Sequence, residues 1–350
     1  MVELLFCSTA GGLLSLLLVW GFRNLPGERW QMLAVIPGKK QDEHSWQGTN
    51  LTYYGFFIAT SQLLSLALLF ILLGAMEISL AGAILATTLV LAVSVPAARI
   101  IAILVERKRH TFTIGGAGFV GMIAAPLAII AASEILGGFF PCYLPLIPVM
   151  AAMAIAYTLG EGLGRLACLS YGCCYGKPLK MCSRPIQQLF ATSATVFSGF
   201  TKKAEYEGQL CGEPLVPVQA ITSILFSLTC LLGTWLFLHG DFTIALVLCI
   251  TVTQLWRLVS EFLRADFRGC GTISVYQKMS VVAVLYIIGV TLVPQAAITV
   301  HPVVTKGIGQ LWQPGVILGL QLAWLLFFVY FGRSTVTRSQ ISFSLHQERL

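Results

Sequence analysis

Nine separate stretches of this chain stay apolar for about the 20 residues that a helix needs to cross a bilayer core. They are 2–22, 52–74, 81–105, 114–138, 146–170, 216–238, 243–263, 275–295 and 314–332. No other feature restricts the fold as strongly. Inside hydrocarbon each backbone N–H and C=O must find its partner within the protein, so each stretch is expected as a helix. The ten-residue runs of alternating polarity that build a membrane barrel are missing. Composition agrees: 57% of the 350 residues are hydrophobic and 11% are charged, against about 25% charged in a soluble domain. Too few charges exist to clothe a water-facing surface. The expected fold class is therefore all-α, a polytopic membrane helical bundle. The first stretch carries Glu3, has no Lys or Arg before it and is followed by no small-residue cleavage pattern. It reads as a retained helix rather than a signal peptide.

The few charges are informative by position. The net charge is +7, which in this setting points to membrane topology and not to a nucleic-acid partner. Nine spans send 23–50, 106–113, 171–215, 264–274 and the tail after 332 to one face. Eighteen of the 22 Lys and Arg residues lie in those segments or at their edges, and the opposite face holds only Lys306. Basic loops stay cytoplasmic, so the expected arrangement has the N-terminus outside, the C-terminus inside and both long polar stretches inside.

Three basic residues remain within spans: Arg99, Arg165 and Arg257. An arginine at mid-membrane costs about 2.5 to 3.5 kcal/mol on insertion scales, so such residues face a partner or a polar cavity. Arg99 sits eight residues from Arg107, and snorkelling to the interface remains an equal reading for it. Arg257, Glu261 and Arg264 are spaced to share one helix face. A guanidinium suits a phosphate, and Glu261 is expected to hold Arg257 in orientation. A charged ladder at a helix end is the other reading. Arg165 closes Gly160-Glu161-Gly162-Leu163-Gly164-Arg165, and a second run, Gly115-Gly116-Ala117-Gly118 with Gly121, opens the fourth span. Glycine admits a ligand or another backbone closely, and it also packs helices together. Both readings stand for both runs.

After Arg165 come Cys168, Cys173, Cys174 and Cys182. Their spacing lacks the paired knuckles of structural zinc and no histidine is near, so no metal is expected. A cytoplasmic face disfavours disulfides, which leaves site thiols or packing. His44, His110, His239, His301 and His346 all lie outside the apolar stretches. No imidazole is thus available as an intramembrane base, and haem or di-metal chemistry is not expected.

Together these residues resemble the prolipoprotein diacylglyceryl transferase family, bacterial membrane enzymes that use phosphatidylglycerol as lipid donor. Thr52-Tyr53-Tyr54-Gly55 is similar to the family's Trp-Tyr-Gly segment, and Ala98-Arg99-Ile100 to its Gly-Arg-Ile step. Gly160-x-Gly162-x-Gly164-Arg165 matches its glycine-arginine signature. Arg257-x-x-x-Glu261-Phe262-x-Arg264 matches its second essential arginine and glutamate, and Gln277-x-x-Ser280 is similar to its later Gln-x-x-Ser. The resemblance implies a seven-helix core over 48–295, including a polar head segment at 171–215. An extra helix and loop would form 1–47, and another helix and tail 296–350.

It also implies Arg165, Arg257, Tyr54 and Glu261 as the catalytic set. Arg99, Gly116, Gly121, Gly164, Gly176, Arg264 and Gln277 would line the donor, with Cys168, Cys173 and Cys174 as possible site thiols. The implied partners are phosphatidylglycerol and a prolipoprotein or other thiol acceptor, met by a monomer in the bacterial inner membrane without a cofactor.

The departures are as definite. Cys168 stands where the family has Asn, and Cys173 where it has Glu. Val120 replaces a frequent histidine, and Val216-Pro217-Val218-Gln219-Ala220-Ile221-Thr222 has lost a histidine and a glutamate. The resemblance implies a site open to the outer face, whereas the charge count places it inside. A changed acceptor at the cytoplasmic leaflet, or a lipid-binding or transport protein on the same scaffold, are the alternatives to the family reaction.

Overall fold

The computed structural model describes residues 1–106, 113–138, 144–265, 274–294 and 300–349. Of the basic residues and histidines counted above, Arg107, Lys108, Arg109, His110 and Arg268 lie outside the described residues, as does the last residue of the eighth stretch. The membrane helices are α1 Val2–Asn24, α2 Tyr53–Ala75, α3 Leu80–Ile101, α4 Ile114–Gly137 and α5 Leu146–Tyr171. The short helices α6 Arg184–Phe190 and α7 Lys203–Tyr206 come next, in the head. Then come α8 Val218–Leu238, α9 Phe242–Leu263, α10 Val275–Thr291, the short α11 Val304–Leu311 and α12 Pro314–Gly332. Among the described residues, 8 helices are long and apolar enough to cross a membrane, and α10 is a shorter apolar helix of 17 residues. The chain is an all-α polytopic membrane bundle, as the apolar stretches predict.

Local chemistry explains the helix ends. Thr52, Ser79 and Thr113 cap α2, α3 and α4 by accepting from the backbone N–H three residues on, which satisfies one otherwise orphaned donor each. Ser274 and Gln277 cap α10 reciprocally as a capping box. Gly172, at φ 75°, terminates α5. There the Gly172 and Cys173 N–H groups both donate to the Cys168 carbonyl, at 2.8 and 3.1 Å, and the left-handed position calls for glycine.

Helix α5 is the axis of the bundle. It packs against α2, α8, α9, α4 and α1, and most of its side chains are buried. Its sequence is rich in Ala and Gly, which lets neighbouring backbones approach where no hydrophobic drive separates helix from lipid. A Cβ on Gly162 would lie 3.0 Å from Phe226 Cβ, and one on Gly160 would meet Ser65 Oγ at 2.5 Å. By contrast α1 and α12 bury few residues. Leu4, Leu5, Leu13 and Leu16 on α1, and Leu318 and Leu326 on α12, face outward, as suits helices bathed in acyl chains.

The polar segments gather at one end. The strands β1 Met32–Lys40, β2 Ser45–Thr52 and β5 Arg333–Ser342 form an antiparallel sheet in the order β1-β2-β5, with Gly48 opposite both Pro37 and Ser339. The sequence reading has no counterpart for this sheet. In the head, β3 Thr195–Val196 pairs with β4 Pro214–Leu215. The head is clamped to the segment after α1. Gln31 Nε2 donates to the Thr201 carbonyl at 2.5 Å, Thr201 Oγ1 returns a bond to Gln31 Oε1 at 2.8 Å, and Ser170 Oγ donates to the Trp30 carbonyl at 2.5 Å. At the opposite end Lys306 pairs with Glu77. Among the described residues the strands of 32–52, the head segment and the strand after α12 therefore lie together at one end of the bundle.

Candidate active site

One stripe of α5 carries four groups able to hydrogen-bond within the bundle. Tyr157, Glu161, Arg165 and Cys168 follow one another at steps of four, four and three, the spacing that lines up one helix face. Glu161 is 8% exposed and is the hub of the stripe. Arg165 Nη2 donates to Glu161 Oε1 at 2.7 Å. From α9, Arg257 Nη2 donates to both Glu161 oxygens at 2.5 and 2.6 Å, and to Tyr157 Oη at 3.1 Å. Tyr157 Oη donates in turn to Glu161 Oε2. Two guanidiniums share one carboxylate, leaving a net charge of +1 on a largely buried cluster. Among the described residues no acceptor meets Arg165 Nε, although that atom is buried. An N–H withdrawn from water without a partner costs about 1–3 kcal/mol, so an acceptor brought to this atom would be stabilising.

The two glycine runs part company here. A methyl on Gly115 would collide with Arg257 Nη1, and one on Gly118 would press on the Tyr157 ring at 3.2 Å. The run on α4 thus opens the space in which the Arg257 guanidinium and Tyr157 lie. Gly160 and Gly162 pack helices instead, while a methyl on Gly164 would meet nothing nearer than Ser61 Oγ at 3.8 Å. Gly116 lies against Thr113 and Ile101, and Gly121 faces Val90 and Ser94 at ordinary contact distance. Gly176 admits the Val216 carbonyl where its strand runs beside Arg264.

The remaining expected residues fall into three places. Tyr54, in the first turn of α2, packs its ring against Tyr171 at 5.5 Å with the planes tilted by 59° and lies within electrostatic reach of Cys173, Cys168 and Cys174. Arg264, buried at the end of α9, stands with Arg165 near Cys174. Arg99 is elsewhere: its Nη2 donates to Tyr330 Oη on α12 at 2.8 Å from an exposed position. Glu261 accepts from Ser274 Oγ, so the carboxylate that orients Arg257 is Glu161, one helix away, and not its neighbour at i+4. Gln277 is consumed by structure. Its Oε1 accepts from Ser274 N at 2.9 Å and its Nε2 donates to the Leu258 carbonyl at 3.1 Å, which ties α10 to α9.

In the sequence Glu161 stands out only as a member of a glycine run. Its position four residues before Arg165 is the signal that points to its role. Tyr157, four residues earlier again, carries the same signal.

At the end of the stripe the chain turns back at Gly172 and sets Cys173 and Cys174 over Cys168. The three sulfurs lie within 4.8 Å of one another, with Cys168 Sγ donating to Cys174 Sγ at 3.9 Å. None of the three is in a disulfide. Hydrogen bonds from the Cys168 and Cys173 thiols hold the Cys174 thiol well below its ordinary range, and Arg264 and Arg165 pull the same way against burial. The same neighbouring thiols push Cys173 up. Cys182 stands apart and donates to the Pro178 carbonyl.

A buried cluster of two arginines and one glutamate thus stands beside a cluster of three thiols inside a membrane bundle. The family model of prolipoprotein diacylglyceryl transferase matches residues 44–293. No curated protein matches the chain. The matched region holds Glu161, both arginines, Tyr54 and the three cysteines, and the chain belongs to the prolipoprotein diacylglyceryl transferase family, membrane transferases that move a diacylglyceryl group to a prolipoprotein.

Proposed function

We propose that this protein takes the diacylglyceryl group of phosphatidylglycerol, passes it to a thiol, in the first place the cysteine of a prolipoprotein, and expels glycerol phosphate. The observation that carries the reading is the Arg165–Glu161–Arg257 cluster, buried with net charge +1 and with an Arg165 Nε that meets no acceptor among the described residues. A phosphodiester supplies the missing negative charge and acceptor oxygens. The acceptor thiolate attacks the glyceryl carbon, a C–S bond forms, the C–O bond to phosphorus breaks, and the electron pair leaves with glycerol phosphate. The phosphate passes from one negative charge to two. Guanidiniums already fixed by Glu161 stabilise that increase without reorganising. Such pre-aimed charge is usually the main source of rate enhancement where charge builds up in the transition state.

Within this reading Arg165 and Arg257 hold the phosphate, Glu161 positions both, and Tyr157 completes the network. Tyr54 stands on the thiol side. Gly115 and Gly118 keep room for the working conformation of Arg257. The protein acts as a monomer in a bacterial inner membrane, with 48–295 as the catalytic core, 1–47 an N-terminal addition and 296–350 a C-terminal one.

A second reading keeps the donor and changes the acceptor. The eighteen-to-one division of basic residues favours it, because it turns the head segment and the cysteine cluster toward the cytoplasmic leaflet. Labelled phosphatidylglycerol, supplied with and without a peptide bearing a lipoprotein-type cysteine, separates the two. Thioether on the peptide supports the family reaction, and glycerol phosphate release with unmodified peptide supports the other acceptor. Failure to turn over phosphatidylglycerol, with binding indifferent to Arg257→Ala, refutes both. A reporter joined after Leu350 fixes the orientation independently.

A further inference from the structure

The three-cysteine cluster has a geometry that its spacing along the chain conceals. Cys168 lies in the last turn of α5, and the left-handed Gly172 folds the next residues back over that turn. Cys174 itself holds φ at 57°, a conformation that a non-glycine residue adopts only where its surroundings impose it. Gln219 Nε2 donates to the Cys173 carbonyl at 2.9 Å and fixes the peptide between the two cysteines. The result is three sulfurs converging within 4.8 Å, with one pair at 3.9 Å.

Zinc binds thiolate sulfur at about 2.3 Å in tetrahedral geometry, which sets the sulfurs about 3.8 Å apart. The cluster is within a small side-chain adjustment of that shape. Cys168 is buried while Cys173 and Cys174 are half-buried, so one side is accessible. Three thiolates on a divalent cation carry one negative charge, and Arg165 and Arg264 stand close enough to balance it.

From this geometry we infer that Cys168, Cys173 and Cys174 form a three-thiolate zinc site whose open fourth position takes the acceptor thiol. The role of the open position rests on the transferase reading above; the site itself does not. It answers a chemical need of that reaction. The described site offers no histidine, and a thiol bound to zinc loses its proton outright. The acceptor S–H would release its proton to solvent on binding. The sulfur would then attack the glyceryl carbon as thiolate, and glycerol phosphate would leave beside Arg165, the residue three positions before Cys168 on the same helix face. A zinc site with three protein ligands and one open position is the catalytic rather than the structural pattern.

Cobalt(II), added to the purified full chain in detergent under reducing conditions, tests the site without any reliance on turnover. The expected result is one ion bound per chain, with the visible bands of tetrahedral cobalt and near-ultraviolet sulfur-to-cobalt absorption, all lost on adding zinc. Cys174→Ser and Cys168→Ser should each abolish or weaken binding at least tenfold, while Cys182→Ser and Cys211→Ser keep it. Because a cluster variant could misfold, zinc protection of the unsubstituted protein from alkylation supplies a second readout. Peptide mapping should find Cys168, Cys173 and Cys174 shielded together. Absence of saturable binding, or protection that spares these three, overturns the site. Addition of the cysteine peptide should then raise the sulfur-to-cobalt absorption by about a third, as three thiolates become four. A bound ion whose spectrum ignores the peptide overturns the acceptor role, whatever the transfer assay returns.

Discussion

The two glycine runs invite the same reading in the sequence and do different work in the fold. On α5, Gly160 and Gly162 let α2 and α8 approach the central helix. On α4, Gly115 and Gly118 leave space for the Arg257 guanidinium and the Tyr157 ring. The lesson lies in what a glycine faces. Against a rigid neighbour such as Phe226 its missing side chain is a packing device, and against the end of a long charged side chain it is a mould for a functional conformation. Substitutions at the two runs should therefore separate stability from activity.

The largest effect is expected at Glu161, which lies within the α5 run and binds the Arg257 and Tyr157 side chains that the α4 run faces. Glu161→Gln strips the charge from between two buried guanidiniums. Breaking a buried ion pair in this way costs about 3–5 kcal/mol. Transfer from phosphatidylglycerol should fall at least on the order of 100-fold, and the detergent melting temperature should drop clearly. A variant that melts and turns over like the parent would remove Glu161 from the centre of the account.

Gly115→Ala comes next and sharpens the contrast. It should lower kcat/KM by about tenfold, equivalent to about 1.4 kcal/mol, while the melting temperature moves little because a flexible guanidinium can shift aside. Gly162→Ala should do the reverse. It overpacks the α5–α8 contact at a cost of about 1–3 kcal/mol, read as a lower melting temperature with nearly unchanged activity per folded molecule. Gly164→Ala, with open space around it, should leave both quantities close to the parent. If Gly115→Ala chiefly destabilises and Gly162→Ala chiefly inactivates, the division between the runs is wrong.

The smallest expected effect lies at the clamp that holds the head segment. Lys202 is buried, its Nζ donating to the Leu25 and Ser170 carbonyls at 3.0 and 2.6 Å, and burial pulls its pKa from 10.5 down to about 7. Between those values the folded chain binds fewer protons than the unfolded one, so stability rises with pH through this window and is lowest below pH 7. The melting temperature of the parent should climb from pH 7 to pH 9 relative to Lys202→Met, in which this component is missing. Parallel pH profiles for the two proteins would contradict it.

The helices were legible in the sequence because hydrocarbon allows so few alternatives, and each apolar stretch became a helix. The sheet was not. β1 shows no burial alternation and contains Pro37 and Gly38, the half-buried positions of β5 fall mostly on Ser334, Thr337 and Ser339 rather than on apolar residues, and β2 pairs with β5 across roughly 290 residues. Helix α11 is eight residues long, too short for a hydropathy window. In the site, Arg165 and Arg257 were legible because charge in an apolar span demands a partner. The identity of that partner was not, since Glu261 and Glu161 are both placed to serve, and only the packing of α5 against α9 decides for Glu161. The cysteine cluster was hidden by a turn. Spacing along the chain takes no account of a left-handed glycine that folds Cys173 and Cys174 onto Cys168.

The central claim is that fixed, forked guanidiniums hold the donor phosphate while the lipid group leaves it. Glycerol phosphate release from labelled phosphatidylglycerol by Arg257→Lys tests it most directly. Lysine keeps the positive charge that Glu161 needs, so the bundle should still fold, but its point charge cannot grip Glu161 and a phosphate together. The account predicts release slowed on the order of 100-fold or more at an almost unchanged melting temperature. Release at the parent rate from a folded Arg257→Lys protein would contradict it.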